Sequence, residues 1–274
     1  MFTTNPFLEL SGLISPLAMQ IYVIAMIILV AGGTILDTLH KKSAEYFFKN
    51  AEKASKHATR TVSGGEKVAI AVSTLAVDVL TSGEFCNQRR RLAHLLTMYG
   101  FILFVVSTAV LIFGYADSAA PAVWPLLWHL GALMVCVGGY WFWFAIRVDV
   151  AAEGNPWYRV VRADLFILAL LATTTFALLW SVFAATFFFV LFIAAATVLF
   201  GTVLWSKFAH MFFKPAAAFN KRVTKADGSR ENLPEVPDLT DPAVHARYPD
   251  IPEYLGKNPP NMGLGIKREA PSHY

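Results

Sequence analysis

The feature that most constrains the fold is an uncharged stretch of forty-two residues, from Leu165 to Ser206. A single helix of that length would measure about 63 Å, at 1.5 Å per residue, which is twice the thickness of a bilayer's hydrocarbon core. We therefore expect the stretch to fold back on itself as two membrane spans. No glycine or proline marks the turn, which we place near Trp180–Ala184.

Three further apolar runs precede this stretch, and 56% of the 274 residues are hydrophobic, above the share usual in soluble domains. The sequence thus predicts an all-α membrane protein with five transmembrane helices and a membrane domain covering residues 1–219. The spans are expected at about 16–37, 92–114, 123–146, 165–182 and 185–210. The two cysteines, Cys86 and Cys136, lie too far apart in the sequence to form an iron–sulfur or zinc motif.

Two polar regions flank the spans. The segment 40–91 contains an amphipathic stretch, Ala44–Ala58, typical of a helix at a membrane surface, and Glu66–Leu80, which is too short to cross a bilayer. The tail 220–274 has eight prolines and cannot bury enough apolar surface to fold alone. It is either a disordered tail or an extended arm that orders on a partner. Its spaced aromatic and aliphatic residues favour the arm.

The basic residues predict the orientation. All 23 Lys and Arg fall in three regions: ten in 40–91, three in 147–163 and ten from 207 onward. With five spans, these regions lie on one side of the membrane. The positive-inside rule then places the N-terminus outside and the tail in the cytoplasm, with the protein in the cytoplasmic (inner) membrane.

Two histidines lie just inside the predicted cytoplasmic edge of the bilayer. His94 follows three arginines near the start of the second span, and His210 is near the end of the fifth. Two imidazoles at one depth on facing helices can ligate the iron of one b-type haem. Arg91 and Lys207 lie at the same level and could pair with its propionates. The alternative is two interfacial histidines, but intramembrane ionisable residues usually have a function, so we favour the haem.

Another histidine, His129, stands alone in the outer part of the third span. It could hydrogen-bond a quinone oxygen or a neighbouring helix, and the sequence does not decide between them. His40, at the cytoplasmic end of the first span, is read as an interfacial residue. It would still be a proton-handling neighbour, with Asp37 and Glu84, if a quinone bound near His94.

Two motifs resemble those of a known family. The stretch GEFCNQRRRLAHLLTMYGF at 83–101 and the stretch FAHMFFKPAAAF at 208–219 are similar to the entry to span two and the exit from span five of the nitrate reductase gamma family. Within that family of five-span cytochromes b, the chain is closer to the membrane subunits of heterodisulfide reductase and of the quinone-interacting complex of adenylylsulfate reductase. It also resembles the membrane anchors associated with adenylylsulfate reductase.

The resemblance covers residues 16–219 and implies one inner haem b with His94 and His210 as axial ligands. Members with two haems carry a further histidine on span two and another on span five. Here those neighbourhoods hold Phe104 and Phe192. The clustered cysteines of larger relatives are absent from this sequence, so electrons must pass to or from a separate subunit.

The sequence therefore predicts a membrane cytochrome b subunit without catalytic residues of its own. It would exchange electrons between the quinone pool and a cytoplasmic iron–sulfur or flavin oxidoreductase, such as an enzyme of sulfur metabolism. We expect no nucleic-acid partner. The rival hypothesis is a haem-free anchor that docks a soluble redox enzyme on the membrane. A transporter is less favoured, because no span shows paired breaks or a charge at mid-depth.

Overall fold

The computed structural model describes residues 2–10, 12–40, 43–83, 85, 87–205, 210–230, 241–247 and 249. These residues form helices and connecting turns, with no strand among them, which confirms the all-helical class. Four helices are long and apolar enough to cross a membrane. They are α2 (Pro16–His40), α5 (Gln88–Ala109, continued as a π-helix over Val110–Gly114), α6 (Val123–Trp141, continued as a π-helix over Phe142–Ile146) and α8 (Leu165–Phe183).

The uncharged stretch forms α8 and a fifth apolar helix, α9 (Thr186–Gly201), which pack against each other. The helix α9 has only 16 residues and ends at Gly201, so the single helix expected over 185–210 is interrupted there. Glycine weakens a helix because it loses more backbone entropy than any other residue. After a turn at 202–205, a new helix, α10 (His210–Ala226), begins at His210. It includes the first residues of what we expected to be an extended tail.

The apolar helices run alternately up and down. On α6, Gly138 lies against Ala93 of α5 near one end, and Trp128 contacts Phe104 of α5 nearer the other. The helix α8 pairs with α6 in the same antiparallel way, while α2 and α9 lie side by side and run in the same direction. The described basic residues at 49–91, at 147–162 and in α10 therefore lie at one end of the bundle, called here the basic end.

The opposite end of the bundle is closed by the N-terminal segment. A short helix, α1 (Pro6–Glu9), follows Asn5, whose side-chain amide donates to the carbonyls of Leu111 (3.3 Å) and Tyr115 (3.0 Å). Gln20 donates to the carbonyl of Ile112 at 3.1 Å. These carbonyls lie at the end of the helix, where the last carbonyl groups have no intrahelical partner. The two amides satisfy them, as a low-dielectric environment requires.

At the basic end, three helices form a cap. They are α3 (Ser43–Lys56), α4 (Gly64–Ser73, continued as a π-helix over Thr74–Leu80) and α10. Arg60 donates to the carbonyl of Ala226 at 2.6 Å and to both carboxylate oxygens of Glu66, at 2.5 and 3.1 Å. This guanidinium lowers the pKa of the Glu66 carboxyl. The pair therefore stays charged at neutral pH and is lost only as the pH falls through that lowered pKa.

The turn between α8 and α9 contains a strained alanine. Ala184 has φ of 50°, a left-handed conformation that costs a residue with a side chain about 1–2 kcal/mol. We expect Ala184→Gly to stabilise the protein by about 1 kcal/mol, which would raise the thermal midpoint in detergent by about 2–4 °C. Ala119→Gly, in an exposed loop with ordinary φ, is the matched control and should give no gain. An equal midpoint for both variants would contradict this account.

Candidate functional site

The candidate site surrounds His94, the seventh residue of α5. Asn87 caps this helix, its side-chain oxygen accepting from the amides of Arg89 (3.0 Å) and Arg90 (3.3 Å). The cap fixes the start of α5 at Gln88, so the three arginines, Arg89–Arg91, lie in its first turn. His94 lies about 9 Å along the helix axis from that start. The neighbouring Ala93 is buried against α6, whereas the His94 side chain is on the exposed side of α5.

Three side chains of α5 fasten the turn that follows the π-helix Thr74–Leu80. Tyr99 donates its hydroxyl to the carbonyl of Leu80 at 2.7 Å, and Arg91 donates from Nε to the carbonyl of Thr81 at 2.8 Å. The ring nitrogen Nδ1 of His94 lies 2.9 Å from the hydroxyl oxygen of Ser82. Arg91, predicted to contact a propionate, therefore also has a structural role: it holds this turn against α5.

Ser82 is the residue that the sequence reasoning missed. Its side chain is almost completely buried, and its φ of 51° lies in the left-handed region. Non-glycine residues in such conformations concentrate at functional sites. A hydrogen bond at one imidazole nitrogen fixes the ring orientation and the tautomer, as is usual for metal-ligating histidines. The only indication in the sequence was the Ser82-Gly83 pair, a turn signal just before the second span.

Phe85 links His94 to the beginning of α10. The Phe85 ring is 4.9 Å from the His94 ring, centre to centre, and Lys214 Nζ lies 5.5 Å from the centre of the Phe85 ring. Lys214 is one helical turn after His210, so Phe85 connects the surroundings of His94 to the first turn of α10. The side chain of His210, Lys207 and Glu84 are outside the described residues.

The residues present are compatible with a haem that His94 would help to hold. Because Ser82 holds Nδ1, the nitrogen through which His94 would ligate iron is Nε2. The flanking Phe85 supplies an apolar ring and Lys214 a cation near it, the two kinds of group that suit a porphyrin face and a propionate. In the described part of the chain no three His, Cys, Asp or Glu side chains cluster as ligands for a bare metal ion.

At the other end of the bundle, aromatic side chains fill the space between the helices. Phe104 and Phe192, the residues found where two-haem proteins have ligands, contact each other edge to face with ring centres 6.3 Å apart. Both also pack against tryptophans, Phe104 against Trp128 (5.3 Å) and Phe192 against Trp180 (6.0 Å). These four buried rings form a continuous aromatic core across α5, α6, α8 and α9.

His129 borders this aromatic core, and its two ring nitrogens bond within the protein. Nδ1 lies 2.7 Å from the carbonyl oxygen of Pro125, and Nε2 lies 2.5 Å from the hydroxyl oxygen of Ser181 on α8. Of the two roles that the sequence left open, the structure shows the bond to a neighbouring helix.

Two charged residues near the basic end are buried. Arg147 donates from Nη1 to Asp164 Oδ2 at 2.8 Å, and its guanidinium carbon lies 4.1 Å from the centre of the Trp143 ring. This pair fixes the loop between α6 and α8 to the bundle.

Asp37 of α2 is 3% exposed, while His40, one turn later, is exposed. The structure therefore buries one of the three residues that we considered for proton handling.

No protein-family profile, no curated protein and no solved structure matches this chain. The family resemblance accordingly rests on the two sequence motifs.

Proposed function

We propose that this chain is a membrane cytochrome b subunit that transfers electrons between the quinone pool and a cytoplasmic iron–sulfur or flavin oxidoreductase. The observation that carries the proposal is the hydrogen bond between His94 and the buried, strained Ser82. Phe85 links this histidine to Lys214 on the helix that begins with His210. An interfacial histidine with no function would not require a strained residue to orient it.

Each residue of the site has a stated role in this proposal. His94 and His210 would ligate the iron of one haem b, and Arg91 and Lys207 would pair with its propionates. The haem, when bound, supplies reversible one-electron chemistry. Ser82 keeps the His94 ring in one orientation and one tautomer.

The rival proposal is a haem-free anchor for a soluble redox enzyme, and the purified full-length protein distinguishes the two. A cytochrome b should contain about one haem per chain and show a b-type absorption change on reduction with dithionite. A short-chain quinol should reduce the same haem. Protein that is monodisperse and folded but shows no haem absorption would leave the anchor as the function.

We propose five spans, with the N-terminus outside and the tail in the cytoplasm. The proposal counts α9 as a span together with the turn that follows it. Reporter fusions after residues 60, 155 and 230 are expected to give cytoplasmic activity, and a fusion at about residue 118 to give external activity. Cytoplasmic activity at residue 118 would contradict the five-span topology and would place His94 and His210 at different depths.

We also propose that the tail holds the soluble partner near the haem. An arm that orders on its partner binds by burying spaced anchors on a preformed surface, at an entropic cost. Deleting residues 235–274 is expected to leave membrane insertion and the haem spectrum unchanged while releasing the partner into the soluble fraction. An enzyme such as adenylylsulfate reductase is the first partner to test. Full-stoichiometry co-purification with the truncated chain would instead direct attention to the basic segment 41–91.

A further inference from the structure

The helix α4 and the π-helix Thr74–Leu80 turn polar side chains toward the protein and apolar side chains outward. Helices on the surface of soluble proteins show the opposite arrangement. Two polar side chains, Ser73 and Asp78, face the protein: Arg222 of α10 binds Asp78 through two bonds, of 2.6 and 2.9 Å, and donates to Ser73 at 3.1 Å. The opposite face is apolar and uncovered, with Val68, Val72 and Leu75 exposed by 63%, 62% and 55%. An exposed apolar stripe of this kind indicates contact with another apolar phase.

The end of this segment lies at the depth of His94, well inside the length of α5. Tyr99, whose hydroxyl binds the carbonyl of Leu80, is the twelfth residue of α5 and lies about 16 Å along the helix axis from its start. Ser82 bonds to His94, about 9 Å along the same axis. The chain then returns to Asn87 to begin α5. The turn at 81–83 therefore lies closer to the middle of the bundle than the three arginines in the first turn of α5.

The backbone of the turn is satisfied in the way that membrane depth requires. The carbonyl of Val77 accepts from the amide of Gly83 (2.8 Å) and from the hydroxyl of Thr81 (2.7 Å). The carbonyls of Leu80 and Thr81 accept from side chains of α5, as described above. Irregular backbone within the hydrocarbon region is tolerated only when the protein itself supplies such partners.

We infer that residues 64–83 form a re-entrant segment, which enters the bilayer from the basic end and leaves on the same side. Its face of Val68, Val72 and Leu75 contacts lipid acyl chains. The charged pair of Arg60 and Glu66 marks its aqueous end. Lipid is the occupant because the apolar surface continues onto α5, the span to which the segment is tied, where Leu92 and Ile102 are exposed by 50% and 48%. This inference does not depend on the haem.

Site-directed spin labelling of the full-length chain in phosphatidylethanolamine and phosphatidylglycerol vesicles tests the inference. In a background with Cys86→Ser and Cys136→Ala, single labels are placed through Val72→Cys and Leu75→Cys. Leu133→Cys, on the exposed face of α6, serves as the lipid reference, and Lys53→Cys, on the exposed face of α3, as the aqueous reference. Collision with oxygen and with a water-soluble nickel chelate is measured by power saturation.

Labels at both positions should match Leu133→Cys, with high oxygen and low nickel accessibility. Nickel accessibility equal to that of Lys53→Cys would show a surface in water and would overturn the inference. Protection from both reagents would show a protein surface covering the face, a second copy or a partner, and would overturn it as well. The two substitutions replace exposed side chains, and a monodisperse elution profile of each labelled protein verifies that the fold is retained.

Discussion

Gly131→Ala is expected to destabilise the protein by about 1–3 kcal/mol, the usual cost of inserting a methyl group into a packed interface. A methyl group at Gly131 would lie 2.6 Å from the amide nitrogen of Phe104 and 2.7 Å from the carbonyl oxygen of Gly100. These are backbone atoms, so no side-chain rotation can relieve the contact, and α5 and α6 would have to separate. Small residues allow such close crossings between membrane helices. The unfolding midpoint in detergent, measured by circular dichroism, reports the change.

Gly32→Ala is the matched control, because a methyl group there would meet nothing within 4 Å. Gly32 lies within α2, where replacing glycine by alanine stabilises a helix by up to about 1 kcal/mol. We therefore expect opposite shifts for the two variants. A loss of stability at Gly32 equal to that at Gly131 would show that the α5–α6 crossing is not the cause.

His94→Ala and His210→Ala are each expected to remove the haem absorption from the purified protein, because a bis-histidine haem loses one of its two axial ligands. His129→Ala is the control and should retain the haem, since both nitrogens of His129 bond to Pro125 and Ser181 within the bundle. Haem content per chain, measured by the pyridine haemochrome method, should fall to near zero in the first two variants and remain close to one in the third.

A His94→Ala or His210→Ala variant that keeps a low-spin haem with two imidazole ligands would contradict the assigned pair. His40, exposed near the basic end of α2, would then be the first replacement ligand to test. Ser82→Ala offers a milder comparison. It removes only the bond to His94, so we expect it to shift the haem potential while the haem remains bound.

The helical content of the protein could be predicted from the sequence because it depends on local chemistry. Uncharged runs long enough to cross a bilayer must form helices there, since no water satisfies the backbone. The uncharged run from Leu165 does divide into two packed helices, with the turn at Ala184–Ala185. The break after Gly201 was not predicted, because hydropathy continues through it and a single glycine is often tolerated within a helix.

The candidate site was only partly predictable. His94 was identified because an ionisable residue inside a span is costly and hence usually functional. The contribution of Ser82 was not predicted from the sequence. It depends on the π-helix Thr74–Leu80, which shifts the register of the residues before Ser82, and on the strained backbone of Ser82 itself. Likewise, the pairing of Asp78 with Arg222 links positions 144 residues apart, a distance over which sequence periodicity carries no information.

The most direct test of the central claim is low-temperature electron paramagnetic resonance of the oxidised, purified wild-type protein. We expect a low-spin ferric signal with the g-values of two imidazole ligands, integrating to about one haem per chain, and its loss in His94→Ala. A protein with no haem-iron signal, or with a signal that His94→Ala leaves unchanged, would contradict the assignment of His94 as an axial ligand.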